Sequence, residues 1–238
     1  MSDQHIASAY DRDLEAIQAQ IMKMGGLVEA AIVGAAESLE KGDLELAETI
    51  IAKDAAIDGL EERINEECAR AIALRQPTAS DLRTILTVMK ISNNLERMGD
   101  YAKNIAKRTG VLAQAHPIDG AGGSIRRMAR QVELMLKDAL DAYIQRDAEL
   151  AQDIRHRDGD VDQMYNSLFR NFLTHMMEDP RNITSCMHLH FIAKNIERMG
   201  DHVTSIAEQV IYLVEGELPG DDRPKRDRTS YENAEPHA

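Results

Sequence analysis

The sequence predicts an all-α protein: six long helices arranged as two tandem antiparallel three-helix bundles. Three observations predict it. First, Asn94-Leu95-Glu96-Arg97-Met98-Gly99-Asp100 recurs as Asn195-Ile196-Glu197-Arg198-Met199-Gly200-Asp201, the only difference being a Leu/Ile exchange. Upstream, Asp54-Ala-Ala-Ile-Asp58 recurs as Asp158-Gly-Asp-Val-Asp162, and Asp43-Leu-Glu-Leu-Ala47 as Asp147-Ala-Glu-Leu-Ala151. The spacing is 104 residues upstream and 101 at the Glu-Arg-Met-Gly-Asp copies, so a unit of about a hundred residues is duplicated in tandem. Second, apolar residues recur in steps of three and four over long stretches, the period of a helix with one buried stripe. Third, aromatics make up only 4%, Trp is absent and Met numbers 12, a profile for helices packed through Leu, Ile, Ala and Met rather than for sheets.

The first helix places Tyr10, Leu14, Ile17, Ile21, Met24, Val28, Ala31, Ala35 and Leu39 on one stripe. Lys41-Gly42-Asp43 is a turn, with Gly at a C-cap and Asp opening the next helix. Helix 2 runs from about 44 to 74, with Leu46, Ile50, Ile57, Leu60, Ile64 and Cys68 inward. Gln76-Pro77-Thr78 breaks it, and Thr78 with Asp81 forms a capping-box variant at the start of helix 3. That helix carries Ile85, Val88, Ser92, Leu95, Gly99, Ala102 and Ala106 on one face.

Residues 1–115 thus form the first repeat, and the Pro- and Gly-rich stretch 116–124 reads as a linker. The second repeat, 125–215, opens with helix 4 and its stripe of Ile125, Met128, Val132, Met135 and Ala139. Helix 5 begins near Asp147 and carries Ile154, Val161, Met164, Leu168 and Phe172. Asp179-Pro180 supplies an N-cap and a Pro at the first helical position, opening helix 6. Its inward face is Ile192, Ile196, Met199, Val203, Ile206, Val210 and Leu213. The tail, 216–238, holds three of the six prolines among many charges and is expected to be disordered.

A net charge of −13 argues against nucleic acid and anionic lipid as partners and is compatible with binding cations. Cys68 and Cys186 build no disulfide framework. No apolar run approaches a membrane span and no N-terminal signal region is visible, so a cytoplasmic protein without membrane insertion is expected.

The candidate chemistry lies in four acidic pairs at i,i+4: Asp54/Asp58, Glu96/Asp100, Asp158/Asp162 and Glu197/Asp201. With 41 acidic residues, chance alone gives roughly seven such pairs, so position carries the signal. Each repeat has one pair on its second helix and one on its third, flanking the apolar stripe. Antiparallel neighbours could bring four carboxylates together as a hard-oxygen site for Mg, Mn, Ca, Fe or Zn ions. Asn104 and Ser205 stand one turn beyond Asp100 and Asp201 as further oxygen donors. Gly99 and Gly200 lie mid-helix at a cost of about 1 kcal/mol against Ala, which makes sense where a neighbouring helix must come close. The competing reading is salt bridging, with Arg97, Arg198 and Lys103 as partners. His156, His175, His188, His190 and His202 read as structural. There is no Glu-x-x-His, phosphate-binding glycine loop, nucleophile elbow or zinc-type Cys pair, so no catalytic residue and no enzyme activity is assigned. A metal-dependent enzyme on an all-α bundle and a metal-free helical adaptor stay as alternatives.

The doubled Asn-(Leu/Ile)-Glu-Arg-Met-Gly-Asp, the two Asp-x-x-x-Asp segments and Arg75-Gln76-Pro77-Thr78-Ala79-Ser80-Asp81-Leu82-Arg83 resemble the PhoU family over residues 1–215. The resemblance implies two three-helix bundles, often in a homodimer, with metal held at the Glu/Asp-x-x-x-Asp motifs in some members. It implies negative regulation of phosphate uptake and phosphate-starvation signalling, through the ATPase subunit of a phosphate ABC transporter and a sensor histidine kinase. The sequence departs at Asp179-Pro180-Arg181-Asn182, which replaces the Pro77–Arg83 entry of the first repeat, so the two sites need not be equivalent.

Overall fold

In a computed structural model, residues 2–220 are described, with side chains from Arg12 onward except that of Arg75. Tyr10 as a core residue, and residues 221–238 of the expected tail, lie outside the described side chains and residues. The elements are α1 (Ser2–Lys41), α2 (Leu44–Arg75), α3 (Ala79–Leu112), α4 (Ala121–Gln145), α5 (Ala148–Glu178) and α6 (Ile183–Glu215), with a short 3-10 turn over Pro180–Asn182.

The caps follow from local chemistry. Gly42 takes the left-handed conformation that ends α1 (φ 65°), and Asp43 then caps α2, its Oδ1 accepting from Leu46 N–H at 2.9 Å. Asp147 repeats this at α5, accepting from Leu150 N–H at 3.0 Å. Thr78 stands at the N-cap of α3 but makes no side-chain cap; its hydroxyl donates to the Asp81 carboxylate at 3.3 Å instead. Asp179 caps the 3-10 turn rather than α6, which starts after Asn182. The expected linker is shorter than its glycine content suggests, because α4 begins at Ala121. A Cβ on Gly122 would stand 3.2 Å from Glu40 Cα, so this glycine serves close packing of α4 on the end of α1.

Each repeat folds as three mutually packed helices, and the two bundles join through α1 on α4 and α3 on α6. The predicted stripes are the core. Ile21, Val28, Leu95, Val132, Ile154 and Met199 are fully buried in one continuous apolar cluster spanning both repeats. Each such side chain contributes about 1.5–3 kcal/mol on leaving water. Within Arg12–Lys41 one 18-residue window reaches a mean hydropathy of 1.2, apolar and long enough by composition to cross a bilayer, but half of it is buried inside the protein. Its apolar stripe is spent on α2, α3 and α4.

After α6 the chain turns at Gly216 (φ 90°) against Arg83, and the Gly220 carbonyl accepts from Arg155 Nη2 at 2.9 Å. The first residues of the expected tail are therefore held against the bundle.

Candidate functional site

The duplicated heptapeptide sits where helices cross closely. Within the first repeat, α3 passes α2 so tightly at Gly99 that a Cβ there would meet Ile57 Cδ1 at 3.0 Å and Asp54 Oδ1 at 3.6 Å. Within the second, a Cβ on Gly200 would meet Asp158 Oδ1 at 3.1 Å and Val161 Cγ1 at 3.5 Å. Ile57 and Val161 are counterparts, as are Asp54 and Asp158. The two crossings are thus the same object built twice, and the glycines seat the upstream Asp of the neighbouring helix.

The two copies also meet each other. α3 and α6 run antiparallel: Arg83 lies over the Tyr212 ring at one end, Asn94 meets His202 in the middle, and Arg108 meets His188 at the other end. Tyr101 and His202, counterparts in the duplication, face each other with ring centroids 5.6 Å apart. Asn94 Nδ2 donates to the Lys90 carbonyl, so its Oδ1 accepts from His202 Nδ1–H at 2.7 Å. Burial lowers the His202 pKa, against the opposing pull of the Asp201 charge. The other histidines hold structural contacts, His156 to the Gln152 carbonyl and His190 among the Tyr165, Phe169 and Phe191 rings.

Asp54 and Asp158 are seated at these crossings, and in the first repeat the other three carboxylates lie within electrostatic reach of one another. In the first repeat Asp54 is buried, while Asp58, Glu96 and Asp100 are partly exposed. They sense one another across α2 and α3. Burial raises the Asp58 pKa first, and the Asp54 and Asp100 charges add to it. Glu96 is raised by burial, then by Asp100 and Asp58. Lys103 of α3 reaches across to Asp54 of α2 in a short ion pair and stands 3.7 Å from Asp100 Oδ1. In the second repeat Asp158, Asp162 and Glu197 are buried and Asp201 is partly exposed; Lys194 donates to Glu197 at 2.8 Å. Among the described residues, no three His, Cys, Asp or Glu side chains stand in an arrangement that would hold a metal ion directly. Asn104 is exposed, and the Ser205 hydroxyl donates to the Asp201 carbonyl.

Lys103 has a partner that sequence reasoning did not find. The i,i+3 spacing set Lys103 beside Asp100 on the helix surface. Its main partner is the buried Asp54 on another helix, a contact legible only once α2 and α3 are paired antiparallel.

The PhoU domain model matches this chain twice, over residues 21–109 and 125–210, one match per repeat. The chain belongs to the PhoU family. A phosphate-specific transport system accessory protein PhoU homolog of Rhizobium meliloti is 46% identical over 237 residues, covering 97% of both chains. The homolog of the same description in Caulobacter vibrioides is 43% identical, covering 94% of this chain and 97% of its own. The crystal structure of PhoU from Pseudomonas aeruginosa superposes with a TM-score of 0.84 at 38% identity, over 87% of this chain and all of that one. The phosphate transport system regulatory protein PhoU from Streptococcus pneumoniae gives 0.82 at 31% identity, over 89% of this chain and 99% of its own. These PhoU structures share the tandem helical architecture found here.

Proposed function

We propose that this chain regulates phosphate transport, restraining phosphate uptake and phosphate-starvation signalling by docking rather than by turnover. The partners are the ATPase subunit of a phosphate ABC transporter and a sensor histidine kinase, and the working form is a cytoplasmic homodimer, as the PhoU resemblance implies. Family membership supports the transport role, since the relatives are described as accessory or regulatory proteins of phosphate transport. The observation that carries the docking reading is the fusion of both bundles through one core, with both motif copies at the α3–α6 contact. Arg97 and Arg198, one from each copy, are exposed there. A rigid body of this kind shifts a partner's equilibrium if it binds two states of that partner with different affinity, and needs no chemistry of its own.

The cation reading belongs to the same proposal. The resemblance implies a hard divalent or iron-type cation at the acidic pairs; in the second repeat three buried carboxylates beside Asp201 supply oxygen donors, while Lys194 already pairs with Glu197. Asp158, Asp162, Glu197 and Asp201 would hold it, and it would offset their mutual repulsion and stiffen the α5–α6 crossing. In the first repeat Asp54, Asp58, Glu96 and Asp100 would hold it, where Lys103 pairs with Asp54.

The test is a deletion strain grown in ample phosphate. A derepressed starvation reporter and raised uptake are expected; a silent reporter with normal uptake overturns the reading. Affinity capture from cells grown with and without phosphate should recover the ATPase subunit and the kinase.

A further inference from the structure

We infer that the groove between α1 and α4, at the arginine-rich start of α4, receives an acidic segment of a partner protein that carries an apolar anchor on one face. This builds on the docking reading given above and gives it a surface and a partner chemistry.

The duplication explains why a groove exists there. Ile21, Met24, Val28 and Ala35 of α1 recur as Ile125, Met128, Val132 and Ala139 of α4, again 104 residues on. The two helices run antiparallel, with Gly25 against Leu140 toward one end and Glu40 against Gly122 at the other. Each contact between them therefore has a copy toward the opposite end. At the first, Leu140 packs on Gly25 so closely that no side chain fits there. The counterparts of Leu140 and Gly25 are Ala36 and Ala129. With Ala where the copy has Leu, the contact is not filled, and Val33, Ala36 and Ala129 line a groove of about 410 Å³. That volume suits the side chains of a bound ligand or peptide. Val33 stands 38% exposed in it.

Charge decides what the groove accepts. Arg126, Arg127 and Arg130 also line it, and all three are exposed. The copied end has Lys23 and Lys137 beside a filled contact, whereas this end has three arginines around an open one. Each guanidinium is held from within the chain. Arg126 Nε lies 3.1 Å from Glu40 Oε2, Arg130 Nη1 donates to Glu133 at 2.5 Å, and Arg127 Nη2 donates to the Ser124 hydroxyl at 2.8 Å. Glu40 and Glu133 offset two of the three charges, and Arg127 meets a neutral oxygen. A guanidinium carries five N–H donors in a fixed fork, so an anchored arginine keeps donors for a second carboxylate. Anchoring also reduces the side-chain freedom lost on binding. The rest of the molecule sharpens the choice. A chain of net charge −13 repels an acidic partner over most of its surface, so such a partner is steered to, and registered by, a basic rim. Its carboxylates meet the arginines, and its apolar anchor enters between Ala36 and Ala129, as an amphipathic helix lies in a groove.

The experiment titrates a fluorescent synthetic helical peptide, Leu along one face and Glu along the other, with the full-length chain and reads anisotropy. Wild type should bind it with a Kd in the micromolar range, more weakly as salt rises. Arg127→Glu, which gives up the Ser124 contact, should weaken binding about tenfold or more. Lys23→Glu, the same charge change at the copied end, should leave it unchanged. Ala36→Leu, which fills the groove as Leu140 fills its copy, should also weaken binding about tenfold. Should circular dichroism show Ala36→Leu unfolded, Val33→Glu makes the same test from an exposed position. No binding to wild type overturns the inference. So do equal weakening by Lys23→Glu and Arg127→Glu, full binding by the groove variants, or equally tight binding of a peptide with Ser in place of Leu or Lys in place of Glu. In cells grown in ample phosphate, Arg127→Glu should derepress the starvation reporter as deletion does. A reporter derepressed by deletion but silent with Arg127→Glu overturns the groove as the docking surface and leaves the docking reading standing. A reporter silent in both overturns the docking reading, and the peptide titration then decides the groove by itself.

Discussion

At the residue scale, the motif glycines and the acidic pairs answer to different forces. A Cβ on Gly99 meets the far end of a flexible isoleucine, Ile57 Cδ1, whereas a Cβ on Gly200 meets a carboxylate oxygen of the buried Asp158. Ala in place of Gly gains about 1 kcal/mol of helix propensity. Gly99→Ala should therefore lie within about 1 kcal/mol of wild type, propensity offsetting the contact, while Gly200→Ala should be destabilised by about 1–2 kcal/mol. Urea unfolding of the two variants checks the order. The acidic pairs give a pH signature. The Asp58 pKa lies above its ordinary 3.8, chiefly through burial and then through Asp54. A carboxyl whose folded pKa is raised binds its proton more tightly in the folded chain, so ionisation costs stability as pH rises through that value. Asp58→Asn should raise Tm by a few degrees at pH 7, and the gain should vanish as pH falls below the ordinary carboxylate range. An equal gain at pH 3.5 and pH 7 would show that charge is not the cause.

At the element scale, the helix starts separate what a sequence reveals from what it hides. Asp43 was legible as a cap and Asp147 as the start of a helix, because an Asp one turn before an apolar stripe has one local use, and both cap. Thr78 carries the same local signal, yet its hydroxyl turns to Asp81. The difference depends on a rotamer, which spacing does not encode. Asp43→Ala and Asp147→Ala should each cost about 1 kcal/mol, and Thr78→Ala markedly less; the double Asp variant should be additive, since the caps open different bundles. Chemical denaturation with the three single variants and the double variant tests this. The stripes were legible for the same reason as the Asp caps: a period of 3.6 is imposed by the backbone itself. The start of α4 was not. Gly120, Gly122 and Gly123 read as linker, but Gly122 is small because α4 must lie against Glu40, and only the folded neighbour reveals that. The Lys103–Asp100 pair was legible from spacing, but the Lys103–Asp54 pair was not, since that partner is 49 residues away.

At the scale of the whole molecule, the duplication suggests two units and the packing makes one. The two repeats share a continuous core, joined by α1 on α4 and by the motif-bearing faces of α3 and α6. Val132 and Met135 of α4, and Met98 and Met199 of the motif copies, are fully buried in the shared core. Splitting the repeats would expose these apolar faces to water, at roughly 25 cal/mol for each Å² uncovered. It would also break the Asn94–His202 and Arg108–His188 contacts. The repeats should therefore unfold together. Calorimetry is expected to show one transition whose van't Hoff and calorimetric enthalpies agree. A cavity made in one repeat should also be felt in the other. Val132→Ala should lower the protection of slow amides in α2 as much as in α5, because both report the same global opening. Hydrogen exchange resolved by segment measures this. Protection lost in residues 121–215 but kept in 12–112 would mean two independent bundles, and the single docking body proposed for this chain would have to be replaced by two hinged ones.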